Sequence, residues 1–361
     1  METAAINSLP DKLNVLLMVD PKPMSLDDIA AVAPDRLSVS YAPPEALADG
    51  AGVFPEFDGL WRQHPSSMSL SPSERDTLLR EAHILVSSIP YPKRLHARMP
   101  NLTWVQFAFA GISDFRGSDL WGKPIKVTSA RGYVEALPVA EMVIANAMLF
   151  AKHLHTAVRQ TDAGTLDHAP LRYKLLRGKT MGVIGLGGIG THVARLARAL
   201  GMRTLATRRS ATKRIENADG VDVLYPPSQL HDMLAKSDYI CVSTALTSET
   251  QRFLNADAFA HAKDGACMLN VARGEVIDDR ALKDALRSGK LGGAYLDVFT
   301  DEWTSLPDPE LMAMPNVVMT PHNSGMTDVD ESFAIQLLCE NLRLFLEGKT
   351  LINEVDWARE Y

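Results

Sequence analysis

At 361 residues the chain is long enough for two domains of ordinary size, each with its own core. Its formal net charge of −7, with arginines dispersed among acids, argues against a general nucleic-acid binder. No apolar run reaches the length of a bilayer span, and the start, Met1-Glu-Thr-Ala-Ala, is not a signal peptide, so a cytoplasmic protein is expected.

In chain order, Leu13 to Asp20 is an apolar run of strand length, ended by Pro21 and Pro23. Residues 48–73 mix glycines and prolines with Phe54, Phe57 and Trp61 and show no periodicity; loop or short helices are expected. Ser73 reads as the cap of a helix through Ala82, followed by strands at Ile84–Ser87 and Thr103–Phe107. Ala110-Gly111-Ile112 stands at the C-terminal end of that last strand, the edge where open α/β sheets bind ligands. Ile125 to Thr128 comes next. The run from Pro138 to about His155 is apolar on almost every face, which predicts a helix buried between layers, between domains or against a second copy. Thr161 to Pro170 reads as loop.

Met181-Gly-Val-Ile-Gly185-Leu-Gly187-Gly188-Ile189-Gly190 reads as a strand, a tight turn and a helix start. Gly185 permits the turn, Gly187 lets backbone amides approach a pyrophosphate, and Gly190 lets the helix pack on its strand. Val193, Leu196, Ala197 and Leu200 keep helical spacing up to Gly201, and Met202 to Thr207 is a second strand. A dinucleotide is therefore the expected cofactor. After the second strand stand Arg208, Arg209 and Ser210 rather than the acid that holds a ribose 2′-hydroxyl. Guanidinium groups suit a 2′-phosphate, so NADP(H) is favoured, with NAD(H) still open; the plain alternative is a solvated basic loop.

Strands then alternate with helices at Tyr239–Ser243, Ala266–Asn270, Gly293–Asp297 and Val317–Thr320, the pattern of a parallel sheet. Asn255 and Asp278 are expected helix caps, and a last helix runs from Asp328 to Glu347. Cys241, Cys267 and Cys339 are widely spaced and read as buried free thiols. No Cys/His cluster has zinc spacing, and His153 and His155 cannot share a helical face, so no metal site is expected.

Three polar groups follow directly on strands. Arg273 lies in Asn270-Val-Ala-Arg-Gly274, Glu302 after Leu296-Asp-Val-Phe299, and His322 in Thr320-Pro-His322. Each alone has an ordinary structural reading, but together they offer a cationic clamp, a carboxylate and a general acid. With Ala110-Gly111-Ile112, Pro138-Val-Ala-Glu141 and the glycine loop, in this order, the sequence resembles the D-isomer-specific 2-hydroxyacid dehydrogenase family over nearly its whole length.

That resemblance implies an α/β protein of two Rossmann-like or flavodoxin-like domains. A doubly wound cofactor domain, 131–321, would be inserted into a smaller substrate domain made of 1–130 and 322–361, usually in a homodimer. It places Arg273, Glu302 and His322 at the catalytic positions and implies reduction of a small 2-oxo acid, with His322 as proton donor. Ala110, Gly111 and Ile112, with Arg273, would receive the substrate. The cofactor contacts would be Gly185, Gly187, Gly188, Ile189, Gly190, Arg208, Arg209, Ser210, Thr244, Ala272, Asp297, His322 and Gly325, Asp297 holding the nicotinamide carboxamide. Trp303 stands where the family often has proline, and Trp303, Phe107 and Phe109 are read either as a bulky substrate wall or as core. Two other functions stay open at this point: an NAD-linked oxidising relative acting on formate or phosphite, and a dinucleotide-sensing corepressor. Glu302 speaks against the formate enzymes, which the resemblance expects to carry glutamine there. No nucleic-acid or membrane partner is expected.

Overall fold

A computed structural model describes residues 9–47, 68–87, 91–92, 94–113, 115, 118–132, 136–168, 172–302, 305–328 and 333–360. The chain divides into two compact units, Met1–Val134 with Thr327–Tyr361, and Glu135–Met326.

The first unit is built on a five-stranded parallel sheet of β1 (Leu13–Leu17), β2 (Leu37–Tyr41), β3 (Ile84–Ser87), β4 (Trp104–Phe107) and β5 (Lys126–Thr128), in the order β2-β1-β3-β4-β5. This is a flavodoxin-like order. Strands β3 and β4 are buried at every position, as sheets covered on both faces require. Helices α1 (Leu26–Ala30), α2 (Pro44–Leu47), α3 (Pro72–Glu81) and α4 (Leu95–Arg98) come from the N-terminal part, and the chain's last helix, α12 (Phe333–Leu346), returns to the same unit. Ile335, Leu338, Leu342 and Phe345 of α12 join one core layer with Leu13, Val15 and Trp104, and the Trp104 and Phe345 rings stack at 5.4 Å. Each such side chain contributes about 1.5–3 kcal/mol by burial, and this packing holds α12 on the sheet.

The cap of α3 is Ser71, not Ser73. Glu74 stands three residues beyond Ser71 and closes a capping box, and Pro72 supplies a fixed φ at the first helical position. Of the 48–73 segment, residues 48–67 lie outside the described residues. So does Trp303. Phe107 is fully buried against Phe115 and Tyr91, and Phe109 packs on the same cluster; for Phe107 the core reading is the right one.

The second unit carries β6 (Thr180–Ile184), β7 (Arg203–Thr207), β8 (Ile215–Ala218), β9 (Val221–Tyr225), β10 (Tyr239–Val242), β11 (Ala266–Asn270), β12 (Leu291–Leu296) and β13 (Val317–Met319). Their order is β13-β12-β11-β10-β6-β7-β9-β8, so the direction of winding reverses between β6 and β10. Its helices are α5 (Ala136–Ala151), α6 (Leu154–Asp162), α7 (Gly188–Ala199), α8 (Leu230–Leu234), α9 (Ala256–His261), α10 (Asp279–Arg287) and α11 (Pro309–Ala313). Asn255 and Asp278 cap α9 and α10 through their side chains, as expected.

Two local expectations are corrected. The sheet is mixed, because β8 pairs antiparallel with β9 through a two-residue turn. Asp219 and Gly220 both have positive φ there, +52° and +80°, which is the geometry of a tight hairpin. The apolar helix stops at Ala151: His153 takes a φ of +48°, and α6 resumes at a 71° bend through Asp162. Helix α5 itself is buried along most of its length and packs on α7 and β11. Among the described residues no single helix is long and apolar enough to cross a membrane.

Candidate active site

The glycine loop leaves β6 at the reversal point of the sheet. Gly185 has φ +96°, and a Cβ there would meet Ser243 O and the Thr244 backbone at 2.9 Å. At Gly190 a Cβ would stand 2.3 Å from Gly185 O and 2.9 Å from Val183, so only glycine lets α7 lie this close to β6. Ser243, at the end of β10, donates to Gly185 O at 2.9 Å and ties the two strand ends together. Gly187 differs: a Cβ there would meet no atom within 4 Å. It is the N-cap of α7 and has no side-chain cap bond, so the first amides of a twelve-residue helix are left for an anion. An open glycine before an uncapped helix start fits a dinucleotide pyrophosphate. Gly188 and Ile189 open the helix, and Thr244 lies against Gly185.

The basic loop after β7 is not simply solvated. Arg208 forms an ion pair with Asp219 at 2.7 Å, while Arg209 faces Glu249 at 3.5 Å. Ser210 is exposed. Asp219 sits in the β8–β9 turn, so the hairpin that sequence reading missed delivers a carboxylate to the expected phosphate-binding arginine. The signal for it was present in Asp219-Gly220, a favoured pair for two-residue hairpins.

Arg273 follows β11. Asn270 closes the turn beneath it: its side-chain carbonyl accepts from Ala272 N–H at 3.0 Å and its amide donates to Arg273 O at 3.1 Å. The guanidinium donates to Ala272 O at 2.9 Å. Ala272 itself is buried. Gly274 then packs main chain on main chain, since a Cβ would stand 2.0 Å from Phe299 C and 2.2 Å from Thr300 N. Through that contact the Arg273 turn lies against the segment leading to Glu302.

Glu302 and His322 meet. His322 Nδ1 and Glu302 Oε1 are 2.9 Å apart, with the carboxylate side chain 6% exposed and the imidazole 27% exposed. Glu302 Oε2 is buried and has no hydrogen-bond partner among the described residues. Imidazole geometry puts Nε2 on the side of the ring away from Glu302. His322 has φ +50° and is held from below, its N–H donating to Asp297 O at 2.8 Å. No hydrogen bond between Arg273 and either of these side chains is among those described.

Asp297 directly follows β12 and is 1% exposed. Its Oδ1 accepts from the Thr320 hydroxyl, from Asn323 N–H at 3.2 Å and from the Tyr295 hydroxyl at 3.5 Å. Its Oδ2 accepts from Ser324 N–H at 3.3 Å and from the Ser324 hydroxyl. A buried carboxylate needs such donors to offset its lost hydration. Burial, with Asp297 beside it, pushes the Tyr295 phenol upward, so that hydroxyl stays a donor. The effect is to fasten the 320–324 turn, and with it His322, to β12. Gly325 follows that turn half-buried. Ala110, Gly111 and Ile112 belong to the first unit, just past β4; Ile112 is buried and the other two are half-buried.

A doubly wound sheet with a glycine loop at its reversal point defines a dinucleotide-binding α/β protein. Residues 144–324, half of the chain, match the family model "D-isomer specific 2-hydroxyacid dehydrogenase, NAD binding domain". The chain belongs to the D-isomer-specific 2-hydroxyacid dehydrogenase family. It is similar to D-3-phosphoglycerate dehydrogenase 1 of Saccharomyces cerevisiae, 35% identical over 59% of this chain and 47% of that one. Glyoxylate reductase of Thermococcus kodakarensis is 37% identical over 49% and 52% of the two chains. The aligned stretch thus spans about half the length of these curated relatives. Among solved structures, a D-isomer specific 2-hydroxyacid dehydrogenase from Xanthobacter autotrophicus in complex with NADPH and MES superposes with a TM-score of 0.72 at 25% identity. That match covers 98% of this chain and all of the other.

Proposed function

We propose that this chain is a 2-oxo acid reductase, transferring hydride between NAD(P)H and a small 2-oxo or 2-hydroxy acid, with NADPH preferred. The observation that carries the reading is the buried carboxylate of Glu302 on Nδ1 of His322, at the C-terminal ends of β12 and β13. A bound nicotinamide supplies the hydride. As the carbonyl carbon is reduced, charge grows on its oxygen, and His322 delivers a proton from Nε2. Glu302 fixes the ring through Nδ1 and opposes its charge while it is protonated. Arg273 grips the substrate carboxylate by charge-assisted hydrogen bonds and orients the carbonyl. Within the first unit, Ala110 and Gly111 are the proposed backbone donors to a substrate acid group.

The preference for NADPH rests on Arg208, with Arg209 and Ser210 beside it. We further infer a homodimer. The segment from α6 onward exposes Leu154, Val158, Leu166, Tyr173 and Leu175, each by half or more, and a second copy would cover them. Light scattering tests this: Val158→Asp should yield a monomer, and a monomeric wild type would end the idea.

The decisive experiment follows nicotinamide absorbance with glyoxylate, hydroxypyruvate, pyruvate and phenylpyruvate, each with NADPH and NADH. Turnover should be lost in His322→Asn and in Arg273→Ala while both variants still bind NADPH. Appreciable kcat/KM in both would refute the assignment.

A further inference from the structure

Outside the Glu302–His322 site, the described residues contain one group of three ligand-bearing side chains close enough to share an ion: His231, Asp257 and His261. We propose that these three bind a divalent transition ion of the Zn2+ class on the second unit. This inference is independent of the redox reading.

Asp257 and His261 lie four residues apart on α9, on one face of the helix, and His231 comes from the neighbouring α8. One oxygen of Asp257 stands 3.8 Å from His231 Nε2, the other 3.7 Å from His261 Nδ1, and the ligand atoms all lie within 4.8 Å of one another. Around a four-coordinate zinc with bonds of about 2.0–2.1 Å, neighbouring ligand atoms are about 3.4 Å apart. Whichever Asp257 oxygen binds, its edge to one histidine needs to close by only a few tenths of an ångström, and its edge to the other starts within 4.8 Å. The histidine–histidine edge must close by more, and the side chains have the freedom to do so.

The backbones that carry the three groups are fixed. Met233 and Leu234 of α8 and Ala258 and Phe259 of α9 are buried in one core cluster, and Asn255 caps the turn that holds Asp257. The side chains are not fixed: His231 is 42% exposed and His261 49%. At present the imidazoles stack at 4.1 Å with 14° between their planes, and His261 Nδ1 lies 2.9 Å from Asp257 O. An ion must lie in the plane of each ring that binds it. Binding therefore turns one ring out of the stack and exchanges the carbonyl contact for the metal, with water in the remaining position. Two imidazoles and one carboxylate suit zinc or cobalt better than magnesium or calcium, which prefer oxygen.

The test uses the full chain without an affinity tag, stripped with chelator and titrated with Zn2+ by calorimetry and with Co2+ by visible absorbance. Expected are one saturable equivalent, four-coordinate cobalt bands and a rise in Tm on adding Zn2+. His231→Gln, Asp257→Asn and His261→Gln should each weaken binding by roughly tenfold or more. His155→Gln, on another surface, should not. All four sites are partly exposed, and an unchanged circular dichroism spectrum shows that each variant folds. Absence of saturable Zn2+ binding in the micromolar range, or affinity unaffected by the first three substitutions, would overturn the proposal and leave a plain histidine stack beside an acid.

Discussion

Gly274→Ala adds one methyl group at the point where the Arg273 turn meets the segment carrying Glu302. Gly274 has no positive φ, so the backbone conformation itself suits alanine and the effect is purely steric. The new Cβ would stand 2.0 Å from Phe299 C and 2.2 Å from Thr300 N, whereas real Cβ atoms do not come within 3.0 Å of a neighbour. The contact atoms are main chain on both sides, so at least about 1 Å of movement must be taken up by one segment or the other. If the 299–302 segment yields, the 2.9 Å bond from Glu302 to His322 opens past hydrogen-bond range. If the other yields, Arg273 moves instead. A misplacement of this size costs on the order of 10²-fold in turnover, and overpacking costs about 1–3 kcal/mol of stability. Steady-state kinetics, NADPH binding by fluorescence and a thermal melt read these three effects separately. Expected are a kcat lowered on the order of 10²-fold, NADPH binding affected far less because the glycine loop follows a different strand and only Ala272 of the expected cofactor contacts lies in this turn, and a lower Tm. The double variant with Glu302→Gln should be little worse than Glu302→Gln alone if the loss runs through that carboxylate. A folded Gly274→Ala enzyme with near wild-type kcat would refute the claim that this contact sets the catalytic geometry.

Arg208→Ala should raise the KM for NADPH by roughly 10- to 100-fold, the worth of a charge-assisted hydrogen bond, and leave that for NADH nearly unchanged. Asp219→Asn, which releases Arg208 from its 2.7 Å ion pair, should leave the preference for NADPH equal or stronger; a collapse of that preference would show that the pair positions the guanidinium. His83 is held neutral by burial, with its pKa lowered from 6.5 and its Nδ1 accepting from Asn14 N–H at 3.1 Å. The unfolded chain then binds a proton that the folded one refuses, so stability present above about pH 6.5 is lost as the pH falls toward the native value. His83→Gln should flatten the fall of Tm between neutral and mildly acid pH, and parallel curves for the two proteins would remove this role. Burial pushes the Cys241 and Cys267 thiols up to about 12, so a thiol reagent should leave both unmodified in the native protein and label them in denaturant. Rapid native labelling at either position would contradict the packing described.

What could be read from the chain and what could not divide along a physical line. Gly185 and Gly190 are legible because their constraint is local: a positive φ, and an approach of helix to strand, demand glycine at fixed offsets from the β6 run. Asn255 and Asp278 are legible for the same reason, since a cap is satisfied within three residues of itself. Strand β8 escaped because Ile215–Ala218 is solvated along most of its length and shows no buried face, although its Asp219-Gly220 turn was in plain view. The break at His153 escaped because no proline or glycine marks it; there the left-handed conformation is imposed on an ordinary residue. The least legible features are those that owe their existence to pairs of distant segments. Nothing near Gly274 in the sequence announces Phe299 and Thr300, nothing near Arg208 announces Asp219, and His231 and His261 are separated by a strand and most of a helix. Those contacts decide how Arg273 is placed and how the basic loop is neutralised. Residue types at strand ends therefore point to the side chains proposed for the chemistry, while close approaches of main chain, invisible until the sheet is wound, set the distances between them.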